Sequence, residues 1–259
     1  MEKAKIGLAL GSGGAKGFAH IGVLQVLQEN QIPVDLIAGT SIGSVIGACY
    51  AAGCDLYMMG KLVEQLQLKD IVDFTLSRKG LVSGKEIYQL IKLLTHGKTF
   101  AELDLPLAVC ATSLLDGREV IIQEGLVADA VRASIAIPGI FTPMEYEGVP
   151  LIDGGVIART PVRTAKMMGA DIVLAVDVAG RLESNRVGNI IEIIMQAMTI
   201  MEEEIAKGRE READFIIRPD VADIPLTAMN LADIAVERGR QAAEEALPDF
   251  QRLLERYGS

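Results

Sequence analysis

The chain has 259 residues and 50% of them are hydrophobic, which is enough to form the core of one large α/β domain. Its formal net charge is −10 and its longest basic run is the pair Arg78-Lys79, so it offers no positive surface for a nucleic-acid backbone or an anionic membrane. Its three cysteines, odd in number and without metal-ligand spacing, argue against a disulfide framework and indicate a reducing compartment.

The cysteines, Cys49, Cys54 and Cys110, lie in apolar stretches, and we expect all three to be core thiols. The carboxylates show no loop with the spacing of a calcium site, so we expect no metal, and no other cofactor is implied. Residues 1–5 lead directly into an apolar run that is too short for a signal peptide or a membrane span. We therefore expect a cytoplasmic protein that is at most peripheral to a membrane.

Five apolar runs rich in β-branched residues are predicted to be strands buried on both faces. They lie at Ile6–Leu10, 35–38, 105–112, 171–178 and Phe215–Ile217. Helical patterns occupy 15–28 and 42–52, and residues 83–86 resemble a capping box that opens a helix through Leu94. This alternation predicts an α/β fold with a mostly parallel central sheet, helices on both faces, and the loops after the strands gathered at one edge.

A long helix is predicted at 189–212, and its first half is apolar on most sides. Burial beneath loops would explain this composition. An acyl channel, a dimer interface or a membrane-contact patch would also explain it, because flexible methionines such as Met198 and Met201 adapt to varied apolar partners. No linker divides the chain, so we expect a single domain over 1–259, with a mainly helical part, 187–257, packed on the rest.

A glycine loop, Gly-Ser-Gly-Gly-Ala-Lys-Gly at residues 11–17, follows the first strand and opens the first helix. Lys16 is followed by glycine, which rules out a P-loop, and it occupies the sixth position of the dinucleotide pattern, which calls for glycine there. The second strand also lacks the acidic residue that would bind a ribose. Two interpretations remain: close packing of helix and strand, or an oxyanion hole formed by the N–H groups of Gly13 and Gly14.

The pentapeptide Gly-Thr-Ser-Ile-Gly at residues 39–43 lies between a strand and a helix of small residues, which is typical of a nucleophilic serine on a sharp elbow. The usual order of such sites is serine, acid, then histidine, but this chain has only two histidines. His20 has apolar neighbours typical of a packing role, and His96 lies at a polar helix end. Neither is a persuasive base for Ser41.

A carboxylate can act as the base if it lies within hydrogen-bond reach of the hydroxyl. Asp153 ends an apolar run and precedes Gly154 and Gly155, so its side chain can turn into a cleft. In isolation an Asp-Gly-Gly sequence is more typical of a simple turn. Asp171 and Asp177 flank a later strand, where Asp177 fits a structural role.

The glycine loop, the serine pentapeptide and Asp-Gly-Gly, in this order and spacing, resemble the patatin-like phospholipases, most closely the small bacterial proteins of the neuropathy target esterase type. The resemblance covers residues 6–177. It includes Ala-His-Ile-Gly-Val-Leu at 19–24, Arg-Ala-Ser-Ile-Ala-Ile-Pro-Gly-Ile-Phe at 132–141, and Pro-Val at 161–162.

This resemblance implies a single-domain, three-layer α/β/α patatin-like fold and a Ser-Asp dyad without histidine. Ser41 would attack an ester carbonyl, Asp153 would be the general base, and Gly13 and Gly14 match the family's oxyanion glycines. The supporting motif glycines are Gly39, Gly43, Gly154 and Gly155.

Three further positions bear on the loop and the headgroup. Ser12 replaces the first of three consecutive family glycines, and Arg159 stands where many relatives have asparagine. Lys16 matches a basic family residue and is expected to hold the loop or to meet a phosphate.

The expected activity is two-step hydrolysis of a lipid acyl ester, with a lipid or lysophospholipid as the substrate. We also expect transient contact with a membrane surface and the formation of a homo-oligomer. Three alternatives are an acyltransferase that uses the same acyl-enzyme, a lipid-binding regulatory protein with a vestigial dyad, and an NADP-binding oxidoreductase. The intact serine, aspartate and glycines argue against the regulatory protein with a vestigial dyad.

Overall fold

One sheet of eight strands organises the part of the chain that the computed structural model describes, residues 4–73, 79–179, 190–206 and 212–257. The strands are β1 (Ile6–Leu10), β2 (Leu36–Thr40), β3 (Leu107–Ser113), β4 (Glu119–Ile122), β5 (Met144–Tyr146), β6 (Val149–Asp153), β7 (Ile172–Val176) and β8 (Phe215–Ile217). Their order across the sheet is β5-β6-β3-β2-β1-β7-β8, and β4 pairs with β3 outside this path.

The predicted mostly parallel sheet is confirmed for the five strands from β3 to β8 in this order, each of which was expected from an apolar run. The other three strands are antiparallel and were not predicted. β5 and β6 form a hairpin, and β6 ends at Asp153, so the apolar run before this aspartate is a strand rather than part of a simple turn.

Helices lie on both sides of the sheet. Their bounds are α1 (Ala19–Glu29), α2 (Ile42–Ala51), α3 (Leu56–Gln65), α4 (Leu68–Ile71), α5 (Lys85–Leu94), α6 (Val127–Ser134), α7 (Val162–Met167), α8 (Ile190–Ala206) and α9 (Ala232–Arg256). The helix predicted at 15–28 is divided between a 3-10 helix, Gly14–Phe18, and α1. The long helix predicted at 189–212 is α8 as far as residue 206, while positions 189 and 207–211 lie outside the described residues.

Alternate residues of the central strands supply the two hydrophobic layers. Leu8 of β1 belongs to the larger core beneath α1, α2 and α9, whereas its neighbour Ala9 packs with Val162 and Ala165 of α7 on the opposite face. This two-sided burial explains why the parallel strands read as continuous apolar runs. Within the described ranges, no helix is both apolar and long enough to cross a bilayer.

The capping box predicted at residues 83–86 is not formed. Gly84 is the N-cap of α5 and adopts a left-handed conformation, with φ 76°. The carboxylate of Asp73 accepts hydrogen bonds from the backbone N–H of Gly84 (2.8 Å) and of Lys85 (3.1 Å). A capping box would have satisfied the N–H groups of Ser83 and Glu86. Here Asp73 satisfies those of Gly84 and Lys85 instead, and the Lys85 N–H also donates to the Ser83 hydroxyl oxygen at 3.3 Å.

Candidate active site

Ser41 lies on the sharp elbow between β2 and α2. Its backbone adopts φ 52° and ψ −125°, a conformation that costs a non-glycine residue roughly 1–3 kcal/mol. The two motif glycines permit this turn because a Cβ on Gly39 would lie 2.6 Å from the Cα of Ser44, and one on Gly43 would lie 2.2 Å from the carbonyl oxygen of Leu10. The Gly-x-Ser-x-Gly spacing therefore follows from close backbone approach.

Asp153 meets this serine from the end of β6, 112 positions along the chain. The Ser41 hydroxyl donates to Oδ2 of Asp153 at 2.6 Å, while Oδ1 accepts the N–H of Gly155 at 2.7 Å. Gly154 and Gly155 open the short 3-10 helix Gly154–Val156, which directs the carboxylate back towards the elbow. Both side chains are buried.

The environment of Asp153 suits a base. Burial raises the pKa of Asp153 from 3.8 to about 6, although the hydrogen bonds from Ser41 and Gly155 lower it. The carboxylate is therefore ionised at neutral pH and more basic than an exposed aspartate, which favours proton transfer from the hydroxyl.

The glycine loop presents two backbone N–H groups to the same cavity. Around them the other N–H groups donate to carbonyl oxygens, in the pairs Gly11 to Val176 (3.1 Å), Ser12 to Arg159 (2.8 Å) and Ala15 to Leu226 (2.9 Å). Among the described residues, no acceptor is found for the N–H groups of Gly13 and Gly14, and both glycines line the cavity in front of Ser41. These two N–H groups are thus available to a ligand, and their role as an oxyanion hole stays a prediction.

Two connected cavities extend from Ser41. The smaller, of about 40 Å³, has polar groups from Ser12, Asp153 and Glu202 on one side and apolar groups such as Met198 on the other. The larger, of about 360 Å³, starts at Ser41 and Gly14 and falls within the range typical of ligand sites, roughly 300–1,000 Å³. Its walls are almost entirely apolar, with Val45, Met59, Leu90, Ile140, Phe141 and Met195 among them.

The Met- and Ile-rich helix α8 therefore has two different faces. Met195 and Met198 are buried against the cavities, as the acyl-channel interpretation predicts. Ile193, Ile200 and Met201 are exposed, so burial beneath loops does not account for the whole helix.

Lys16 and Arg159 hold the loop in place. The Lys16 ammonium donates to the carbonyl oxygen of Ala222 at 3.0 Å, and Arg159 forms a buried ion pair with Asp177 at 2.9 Å. Neither side chain lines either cavity. Of the two roles expected for Lys16, these contacts favour holding the loop, while Asp177 has the structural role expected for it.

The two histidines lie away from Ser41. His20 is fully buried, and burial lowers its pKa to about 4, so the neutral ring contacts the carbonyl oxygen of Gly11 through Nε2 at 2.9 Å. His96 adopts φ 53° just after α5. In the described ranges, neither histidine borders the cavities, so Asp153 rather than an imidazole faces the serine.

Two residues at the site were not predicted from the sequence. Ser134, at the end of α6, accepts the N–H of Ser41 at 2.8 Å and donates to the carbonyl oxygen of Cys110 at 2.6 Å. It lies in the stretch 132–141 that carried the family resemblance, and this was the signal that could have found it. Glu202 lies where the predicted helix turns from apolar to acidic, a change of composition that marked the position without assigning it a role.

Curated proteins with related sequences share one family description. An NTE family protein of Mycobacterium bovis is 36% identical over 178 residues, which cover 68% of this chain and 49% of that protein. Lysophospholipase nte1 of Aspergillus fumigatus is 36% identical over 186 residues, covering 70% of this chain and 12% of that protein. The chain thus matches about half of the bacterial relative and a small part of the fungal one.

Solved structures show a similar fold at low sequence identity. VipD from Legionella pneumophila superposes with a TM-score of 0.71 at 15% identity, over 96% of this chain and 67% of that one. A structure of ExoU with SpcU from Pseudomonas aeruginosa gives a TM-score of 0.53 at 15% identity, over 94% of this chain and 53% of that one. The family model described as patatin-like phospholipase matches residues 8–166, and the chain therefore belongs to the patatin-like phospholipase family.

Proposed function

We propose that this protein is a serine hydrolase of lipid acyl esters, with lysophospholipids or phospholipids as its substrate class. Ser41 is the nucleophile and Asp153 the general base. The observation that carries the proposal is the 2.6 Å hydrogen bond between these two buried side chains, since Ser41 lines both the smaller cavity and the larger, apolar one.

The reaction proceeds through an acyl-enzyme. Asp153 accepts the Ser41 proton while Oγ attacks the ester carbonyl, and the N–H groups of Gly13 and Gly14 stabilise the oxyanion. The tetrahedral intermediate collapses, Asp153 returns the proton to the leaving alcohol, and the acyl group stays on Ser41. Asp153 then accepts a proton from water as the water attacks, and on collapse it returns this proton to Ser41 as the fatty acid leaves. The position of Ser41 at the N-terminus of α2 adds the favourable end of the helix dipole.

The apolar cavity supports a lipid rather than a polar ester. It begins at Ser41 and continues between α2, α3 and α5, so an acyl chain can lie along it while its carbonyl stays beside the glycine loop. The name of the fungal relative, a lysophospholipase, points to the same chemistry.

The exposed face of α8 supports contact with a lipid surface. Ile190, Ile193, Ile200 and Met201 are all at least half exposed on the helix whose other face lines the cavities. A bilayer or micelle touching this face would lie against the helix that also lines both cavities. A dimer through the same face is the rival arrangement, and the mass of the protein in solution distinguishes the two.

Hydrolysis by single-residue variants tests the dyad. We expect Ser41→Ala to abolish, and Asp153→Asn to lower by roughly 100- to 10,000-fold, the hydrolysis of p-nitrophenyl acyl esters and lysophospholipids. Asp171→Asn, which changes an exposed aspartate at the start of β7, is the matched control and should keep parental activity. A folded Asp153→Asn protein that hydrolyses at the parental rate would show that the dyad is wrong.

Labelling and product analysis separate this function from its alternatives. A fluorophosphonate probe should label the parent and the Asp171→Asn control but not Ser41→Ala. An unlabelled parent would favour a lipid-binding protein with a vestigial dyad. Acylated product formed in place of fatty acid, when a lysolipid acceptor is supplied, would identify an acyltransferase.

A further inference from the structure

A second carboxylate, Glu202 of α8, lies at the same small cavity as Ser41 and Asp153. It lines this cavity together with Ser41, Asp153 and the glycine loop. The Ser12 hydroxyl donates to Oε2 of Glu202 at 3.4 Å, and Oε1 lies 2.8 Å from the point that a Cβ on Gly155 would occupy. Glu202 therefore contacts both the oxyanion loop and the turn that holds Asp153.

Burial and the charge of Asp153 disfavour the ionised form of Glu202. Burial and the nearby Asp153 raise the pKa of Glu202 from 4.5 to about 7, while Arg159 and the Ser12 hydroxyl lower it. Arg159 is itself paired with Asp177, whose other oxygen faces Arg218, and the Lys16 ammonium is directed to backbone carbonyls. Among the described residues, these charged groups lie on the turn after β6, on the segments after β7 and β8, and on the glycine loop.

We propose that Glu202 is a positioning residue that must be neutral for the reaction, so that its ionisation sets the alkaline limit of hydrolysis. This inference rests on the proposed function. An ionised Glu202 would place a negative charge in the cavity where the oxyanion forms, and would oppose the stabilisation by Gly13 and Gly14. A neutral Glu202 holds Ser12 without that repulsion.

The two carboxylates thereby have different tasks. Asp153, whose two oxygens accept hydrogen bonds from Ser41 and Gly155, is the base in its ionised form. Glu202, which lies near that negative charge, leaves the oxyanion site free of further charge in its neutral form. In many active sites the environments of two acids give them different pKa values, and each acid then has its own catalytic role. Ser12, which replaces a family glycine, links Glu202 to the loop.

The pH profile of kcat/KM on a soluble p-nitrophenyl ester tests this inference. In the parent we expect an acid limb from Asp153 and an alkaline limb above pH about 7, where activity falls by about tenfold for each pH unit. Glu202→Gln should lose the alkaline limb and keep the acid one. Glu204→Gln, at an exposed position of the same helix, should keep both limbs.

A second variant leaves the carboxylate in place. Ser12→Gly removes the hydroxyl that favours the ionised form of Glu202, so the alkaline limb should move to higher pH. An alkaline limb at the parental pH in both Glu202→Gln and Ser12→Gly would overturn the inference while leaving the hydrolase function intact. The same conclusion would follow if Glu202→Gln lost activity equally at every pH.

Thermal unfolding provides a readout that needs no activity. A glutamate with a raised pKa in the folded protein destabilises that protein as pH rises from its unfolded value, 4.5, to its folded value. The melting temperature of Glu202→Gln minus that of the parent should therefore increase from about pH 5 to about pH 8. A difference in melting temperature that does not vary with pH would show that Glu202 is not neutral in the folded protein, and would overturn the inference by itself. Failure of the proposed function is a separate outcome, in which no ester is hydrolysed.

Discussion

As the proposed base, Asp153 must be ionised at the working pH, yet it is buried, and a buried carboxylate is costly to ionise. The hydrogen bonds from Ser41 and Gly155 compensate for part of that cost, and the resulting pKa of Asp153, about 6, keeps the carboxylate ionised at neutral pH. The ionised carboxylate that suits the proposed reaction therefore lowers the stability of the folded protein.

This cost predicts that Asp153→Asn stabilises the protein as the pH rises. Below pH 3.8 the aspartate is neutral in both the folded and the unfolded chain, whereas above its folded pKa of about 6 the folded protein bears the full cost of the charge. The variant should therefore gain free energy of unfolding between these limits, reaching on the order of 1–3 kcal/mol at pH 8. Denaturant titrations of the parent and of Asp153→Asn at pH 4 and pH 8 measure this, and an equal difference in stability at the two pH values would contradict it.

At the scale of elements, the approach of α9 to α1 determines how the C-terminal part of the chain is held. A Cβ on Gly22 of α1 would lie 2.0 Å from the carbonyl oxygen of Val236, and a Cβ on Gly239 of α9 would lie 2.0 Å from the carbonyl oxygen of Ala19. The two backbones therefore touch at reciprocal glycines. Since His20 follows Ala19 and contacts the glycine loop, this contact also supports the site.

Replacing Gly239 with alanine should destabilise the protein, which is the opposite of the usual effect of Gly→Ala in a helix. In a helix interior Gly→Ala is normally stabilising by roughly 0.5–1 kcal/mol. At Gly239 the new methyl group would force the helices apart, and we expect a loss of about 1–3 kcal/mol. Gly60→Ala in α3 is the matched control, because its Cβ would meet only the Gln25 side chain at 3.6 Å. Urea unfolding measures both, and equal stabilisation of the two variants would refute the close contact.

These elements differ in how well they could be predicted from the sequence. The parallel strands could be predicted because burial on both faces leaves uninterrupted apolar runs, and the Ser41 elbow because its glycines are needed for close approach. The strands β4 and β5 could not be predicted, since they are short, half exposed and defined by their pairing with other strands. Glu202 reaches the site only because α8 packs across it, and no local pattern records where a helix docks. The catalytic roles of Ser41 and Asp153 stay predictions.

For the molecule as a whole, net charge and the exposed face of α8 act on membrane binding in opposite directions. The charge of −10 repels an anionic surface, whereas the exposed stripe with Ile193, Ile200 and Met201 favours any apolar one. A neutral lipid surface is therefore the one that both properties permit. It is also a surface that would present phospholipid esters to the helix that lines both cavities.

We therefore expect the protein to sediment with phosphatidylcholine vesicles and to bind less well to vesicles that contain phosphatidylserine, with the difference decreasing at high salt. Ile200→Glu should weaken binding to both, because it places a charge on the face that enters the lipid. Met167→Glu is the matched control, since Met167 is 76% exposed at the end of α7, immediately before β7 and hence at the sheet edge opposite Ser41. Equal loss of binding in the two variants, or a preference for anionic vesicles, would show that α8 is not the face that meets the membrane.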